Sequence, residues 1–171
     1  MTGQRQREIT EWADAAFGGP WTSNARGVAR ILEEVAELVT AVTTNASPER
    51  VAGECADVMI CAFRLAAVEG FDLEAALARR ARPAGTYGQT CFASDTLRMI
   101  ALIFEAAEDG HQTEHLLVSL ASRLRELCIA AGRDLLAEVD AKMEINRRRE
   151  WVLDGTGCGR HVKTTTGTVT S

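Results

Sequence analysis

Apolar residues recur at three- and four-residue steps along most of the chain, the period of a helix that buries one face. Ile9, Trp12, Ala13 and Ala16 carry that period through residues 5–17 until Gly18-Gly19-Pro20 interrupts it, which predicts a first helix with Trp12 turned to the core. Ser23 or Asn24 supplies an N-cap for a second helix reaching about Thr43, with Val28, Ile31, Leu32, Val35, Leu38, Val39 and Val42 on one broad face. Ser47 followed by Pro48 opens a third, whose stripe of Val51, Cys55, Val58, Met59, Ala62, Phe63 and Leu65 runs up to Gly70. Only four residues, 44–47, separate helices two and three, so the two form an antiparallel hairpin. A shorter helix is expected over 72–81 and a connecting loop over 82–88. Further helices are expected near 95–108, 112–131 and 134–151, with breaks at Gly110 and Gly132.

The fold class this predicts is all-α, a helical bundle forming one domain over residues 1–163. Its halves, about 24–82 and 94–151, share a plan: Glu34-Val-Ala-Glu37 has a counterpart in Glu105-Ala-Ala-Glu108, and the run from Ala66 to Asp72 resembles that from Ala130 to Asp134. An eroded duplication and the common composition of Ala-rich helices both account for this. After Trp151 the pattern is lost. Asp154 to His161 reads as a Gly-rich loop at a mobile terminus, because Gly155, Gly157 and Gly159 lack the spacing of a P-loop, and residues 164–171 read as a disordered tail.

Composition narrows the functional classes. A chain of 171 residues, 46% hydrophobic and 25% charged, can bury one sizeable core. Its net charge of -5 argues against a nucleic-acid partner. Five cysteines without a CxxC pair favour neither a disulfide framework nor a zinc site. The opening residues lack the apolar run of an export signal, and no long apolar stretch marks a membrane span. A cytoplasmic protein with no membrane partner is expected.

The acidic residues carry the chemistry. Glu34 and Glu37 are an i, i+3 pair on the second helix, beside Glu33, and Glu54 and Asp57 are an i, i+3 pair on the third. Like charges at that spacing oppose helix formation by roughly 0.2–0.5 kcal/mol per pair, so an unneutralised cluster needs a counter-charge. In an antiparallel hairpin the four carboxylates Glu34, Glu37, Glu54 and Asp57 converge, an all-oxygen set suited to Mg²⁺ or Mn²⁺. The competing reading is a solvated acidic face on a non-catalytic binding or scaffold bundle. A di-iron bundle needs two ExxH motifs, and the chain offers one, Glu108 to His111.

Glu33-Glu34-Val-Ala-Glu37, followed after sixteen intervening residues by Glu54-Cys-Ala-Asp57, resembles the EExxE and ExxD signature of the MazG-like all-α NTP pyrophosphatases. Lys142, Asn146 and Arg149 resemble the KxxxNxxR segment that ends such domains. The Trp-Val-Leu-Asp-Gly-Thr-Gly run from Trp151 resembles phage-type members acting on purine deoxynucleotides, which would place the protein in a host cytoplasm. The resemblance implies hydrolysis of a nucleoside triphosphate, with dGTP as first candidate, to the monophosphate and pyrophosphate. It implies Glu34, Glu37, Glu54 and Asp57 as metal ligands for Mg²⁺, with Mn²⁺ as substitute, and Glu33 and Glu34 in catalysis. It also implies a homo-oligomer, a dimer or tetramer.

Lys142, Asn146 and Arg149 fall on one helix face, where they suit phosphate and sugar contacts or a solvated basic stripe. Trp21 and Trp151 flank helices and are candidate stacking surfaces for a base. His111 and His115 are spaced as a metal pair, but without partner ligands they read as a polar helix start. In the second half Leu116 and Ser119 stand where Glu54 and Asp57 stand in the first, so one working site per chain is expected.

Overall fold

The computed structural model describes residues 3–80, 96, 98–103, 105, 106 and 113–161. Helix α1 (Gln4–Phe17) ends where Gly18 turns left-handed at φ 77° and donates its N–H to the Asp14 carbonyl. Ser23 Oγ accepts the Arg26 N–H and opens α2 (Asn24–Thr43); Ser47 does the same for Arg50 at the start of α3 (Pro48–Val68), with Pro48 in the first turn. Asp72 caps α4 (Leu73–Arg79). The described residues within 96–106 are helical and are termed α5. They are followed by α6 (Glu114–Ala130) and by α7 (Leu135–Arg147), which Asp134 caps through the Ala137 N–H.

Helix α3 is the centre of the bundle. Every residue from Val58 to Ala66 is buried, so this stretch has no solvent face, and α1, α2, α6 and α7 all pack against it. Phe63, Met59 and Leu65 from α3 meet Ile31 and Leu38 from α2, Leu120 and Leu124 from α6, and Leu135 from α7 in one core. Leu32, expected on the buried face of α2, is 44% exposed. The expected antiparallel pairing of α2 with α3 is the most extensive helix contact among the described elements.

The C-terminal region departs from expectation. The last helix stops at Arg147, and Trp151 begins a strand, β1 (Trp151–Leu153), which pairs antiparallel with β2 (Gly159–His161) in the register Trp151 to His161 and Leu153 to Gly159. The Gly-rich segment is therefore the turn of a small hairpin, and the mostly helical fold carries one two-stranded ribbon. Asp154 organises the turn: its Oδ1 accepts from Thr156 N, Thr156 Oγ1 and Cys158 N, while Gly155 and Gly157 both take φ 77°.

Trp12 packs against the core as expected, while remaining partly exposed. The four described cysteines are buried free thiols. No helix among the described residues is long and apolar enough to cross a membrane. The loop over 82–88, Cys91, Glu108, the break at Gly110, His111, Lys163 and the tail over 164–171 lie outside the described residues.

Candidate functional site

The α2–α3 hairpin sets Glu34 opposite Glu54 and Asp57, and one carboxylate oxygen from each lies within 4.8 Å of the others. Glu34 is only 7% exposed because the i+3 and i+4 steps that bury Ile31, Val35 and Leu38 turn it inward too. Glu37 and Glu33 line the same cavity but are exposed and stand outside this tight group. Glu33 is held instead by Arg30, at 2.5 Å, and Arg26, at 3.4 Å.

Three cations reach the cluster. Lys142 Nζ from α7 lies 2.5 Å from Asp57 Oδ2, and Arg30 pairs with Glu34 within α2. Arg50 stands 3.6 Å from Glu54 in a more exposed pair. Burial still dominates. It pushes the Glu34 carboxyl up to about 7, against the pull of Arg30 and with the help of Asp57 and Glu37. Burial likewise raises Glu54, assisted by Asp57 and Glu37, and raises Asp57 despite Lys142. Three carboxyls, raised chiefly by burial, face one another within 4.8 Å, and only oxygen ligands are offered. That donor set fits a hard divalent cation.

The cluster opens into a cavity of about 670 Å³, within the range of small-molecule sites. Lys142, Asn146, Arg149 and Trp151 line it. Asn146 is buried; its Oδ1 accepts from Arg149 Nη1 at 3.1 Å, and its carbonyl accepts from Trp151 Nε1 at 3.1 Å, so it orients two other wall residues.

Trp21 is not on the cavity wall. It is buried against Gly27, where an added Cβ would fall 2.4 Å from its ring, and the Arg64 guanidinium covers its face at 4.4 Å, so no face is left for a base to stack on. His115 is exposed on α6, away from this cavity. Ser119, the counterpart of Asp57, accepts from Arg80, and among the described residues the Glu34 group is the metal-ligand cluster found.

Sequence reasoning missed Trp12, Phe17, Arg30, Arg64, Cys61, Cys158, Gly159 and Arg160, all on the wall. Arg64 carries a readable signal, a single charge inside the apolar run from Val58 to Val68. The others do not, because their placement depends on how α1 and the hairpin close over α3.

Residues 19–84 match the family model described as Phosphoribosyl-ATP pyrophosphohydrolase. The matched stretch spans α2, α3 and α4 and therefore all five acidic residues of the site; Lys142, Asn146, Arg149 and the hairpin lie beyond it. It agrees with the MazG-like resemblance read from the carboxylate motifs, the two being parts of one all-α superfamily. No curated protein and no solved structure matches the chain.

Proposed function

We propose that the chain is a divalent-metal-dependent nucleotide pyrophosphohydrolase that cleaves a deoxynucleoside or nucleoside triphosphate between the α and β phosphates, releasing the monophosphate and pyrophosphate. The observation that carries this reading is the convergence of Glu34, Glu54 and Asp57 within 4.8 Å at the floor of a cavity that Lys142 and Arg149 also line. The match of residues 19–84 to a pyrophosphohydrolase family supports it.

Glu34, Glu54 and Asp57, with Glu37 at the rim of the same cavity, are the residues that would hold Mg²⁺, or Mn²⁺ in its place. When bound, the ion supplies charge neutralisation of the phosphates and acidification of water. The protein supplies the rest. Lys142, paired with Asp57 beside the site, would supply a point charge to a phosphate oxygen, and Arg149, oriented by Asn146, a two-pronged donor to another. Glu33, on the same wall, accepts the proton of the attacking water, and Arg26 and Arg30 hold it in place. Trp151 provides an aromatic surface toward the nucleoside.

Among substrates, a purine deoxynucleotide, dGTP first, is favoured by the resemblance of the Trp151 segment to phage-type enzymes. A dimer or tetramer is what the resemblance implies, to be read by light scattering. The test is a panel of NTPs and dNTPs with Mg²⁺, to which phosphoribosyl-ATP, the compound in the matched family's description, is added. Monophosphate with pyrophosphate is the expected product pair. Diphosphate with orthophosphate would overturn the assigned bond, and no turnover of any member would overturn the activity.

One observation favours a second reading, a non-catalytic bundle: Lys142, Arg30 and, at longer range, Arg50 already pair with the three clustered carboxylates. Mg²⁺ separates the two, since a cation bound only by the folded state raises the melting temperature and chelation reverses it.

A further inference from the structure

Arg64 lies seven residues beyond Asp57 on α3, on the same stripe and about 10 Å further along the helix axis. It is 5% exposed, and both guanidinium Nη atoms have acceptors. Nη1 donates to the Gly157 carbonyl at 3.2 Å and Nη2 to Asp14 Oδ1 at 3.1 Å, while the plane lies over the rings of Trp21 and Phe17 at 4.4 and 5.5 Å. One side chain thus joins the metal-ligand helix, α1, the α1–α2 connection and the turn of the β1–β2 hairpin.

The hairpin is seated closely on the other side as well. A Cβ on Gly157 would fall 2.5 Å from the Pro20 carbonyl oxygen, and one on Gly159 would fall 2.9 Å from the Phe17 ring. Arg26 completes the attachment: it donates to Thr156 Oγ1 and to Asp154 Oδ2, both at 3.0 Å, while reaching Glu33. Seated in this way, the hairpin turns Trp151, Cys158, Gly159 and Arg160 into the cavity. Trp151 is steadied edge-on by Phe17 at 5.1 Å and Trp12 at 6.1 Å.

We infer that Arg64 is a positioning residue for substrate: by anchoring Gly157 it holds the C-terminal hairpin as a fixed wall for the nucleoside end of the nucleotide. The inference rests on the pyrophosphohydrolase reading for the identity of the ligand. Two turns of α3 separate the carboxylates that would take the metal-bound phosphates from Arg64, which is about the reach from an α-phosphate to its base. The wall at that distance is aromatic and backbone-lined with one exposed cation, Arg160, a surface that suits a flat heteroaromatic ring.

The test is Arg64→Met in the full chain, a change that preserves the aliphatic stem and leaves Asp14 one-third exposed and able to hydrate. Gly157→Ala lifts the same turn from the opposite side without touching α3. Both variants are expected to raise KM for dGTP, and the Kd for its α,β-methylene analogue, by about tenfold or more, with kcat within about threefold. Amide exchange over residues 151–161 should accelerate, while Mn²⁺ affinity without nucleotide, read by electron paramagnetic resonance, should stay at the wild-type value. Arg64→Lys, retaining one donor, should recover part of the loss.

Faster exchange in the hairpin with unchanged KM and Kd would overturn the inference, as would a fall in kcat or in Mn²⁺ affinity as large as the rise in KM. A wild-type protein that binds the analogue but hydrolyses nothing would overturn the pyrophosphohydrolase reading alone, and the wall would still be judged from the analogue's Kd.

Discussion

Replacing Glu34 by Gln removes the most deeply buried acid of the cluster while keeping its shape and an acceptor for Arg30. In the metal-free fold the Glu34 carboxyl is pushed from its ordinary 4.5 up to about 7, mainly by burial. The folded state therefore binds this proton more tightly than the unfolded chain does. The stability that follows is fully present below pH 4.5 and is lost as pH rises through 7. At about 1.4 kcal/mol per pH unit, this amounts to about 3 kcal/mol between pH 4.5 and 8. For a chain of this length it corresponds to a fall of roughly 6–12 °C in melting temperature.

The assay is thermal unfolding in EDTA from pH 4.5 to 8, in wild type and Glu34→Gln. The difference between the two curves isolates Glu34 from the many carboxyls that titrate in both. Wild type should match the variant at the acid end and fall progressively below it toward pH 8. Saturating Mg²⁺ should reverse the order at pH 8, because the cation stabilises only the chain that keeps its ligand. Parallel curves in EDTA would refute the claim that burial strains this carboxylate.

Two further substitutions separate the parts of the site. Asp57→Asn should lower turnover by about a hundredfold or more with helicity unchanged, since it removes a ligand without removing the partner of Lys142; steady-state kinetics and circular dichroism check it. Lys142→Met should raise KM by about tenfold through loss of a phosphate contact while tightening Mn²⁺ binding, because Asp57 no longer pairs with an ammonium 2.5 Å away; calorimetry with Mn²⁺ alone checks the second half.

The parts of this site that were legible in the sequence are local ones. Ser23, Ser47 and Pro48 mark the ends of α2 and α3 through contacts within a few residues, and the i, i+3 spacing places each carboxylate pair on one helix side. The short connection makes the helices antiparallel, and that brings Glu34 to Glu54 and Asp57. Glu37 shows the limit of such reasoning: the spacing aims it at the cavity, but it stands at the exposed rim, outside the tight group.

The hairpin was not legible because glycine-rich sequence is compatible with both loose and tightly seated backbone. What decides between them here is tertiary: the carbonyl of Gly157 meeting Arg64, Asp154 meeting Arg26, and the close approach to Pro20. Trp21 was misread for a related reason. A tryptophan next to a helix end has two faces to offer, and Gly27 and Arg64, respectively six and forty-three positions away, occupy the space around them.

The central claim is that the carboxylates of α2 and α3 gather around a divalent ion and do not merely pair with Lys142 and Arg30. A crystal soaked in Mn²⁺, with diffraction recorded at the manganese edge, tests it directly. Anomalous density is expected among the carboxylates of Glu34, Glu54 and Asp57, with Lys142 withdrawn from Asp57. Absence of density there, in crystals soaked with nucleotide and Mn²⁺ together, with both ion pairs intact, would contradict it.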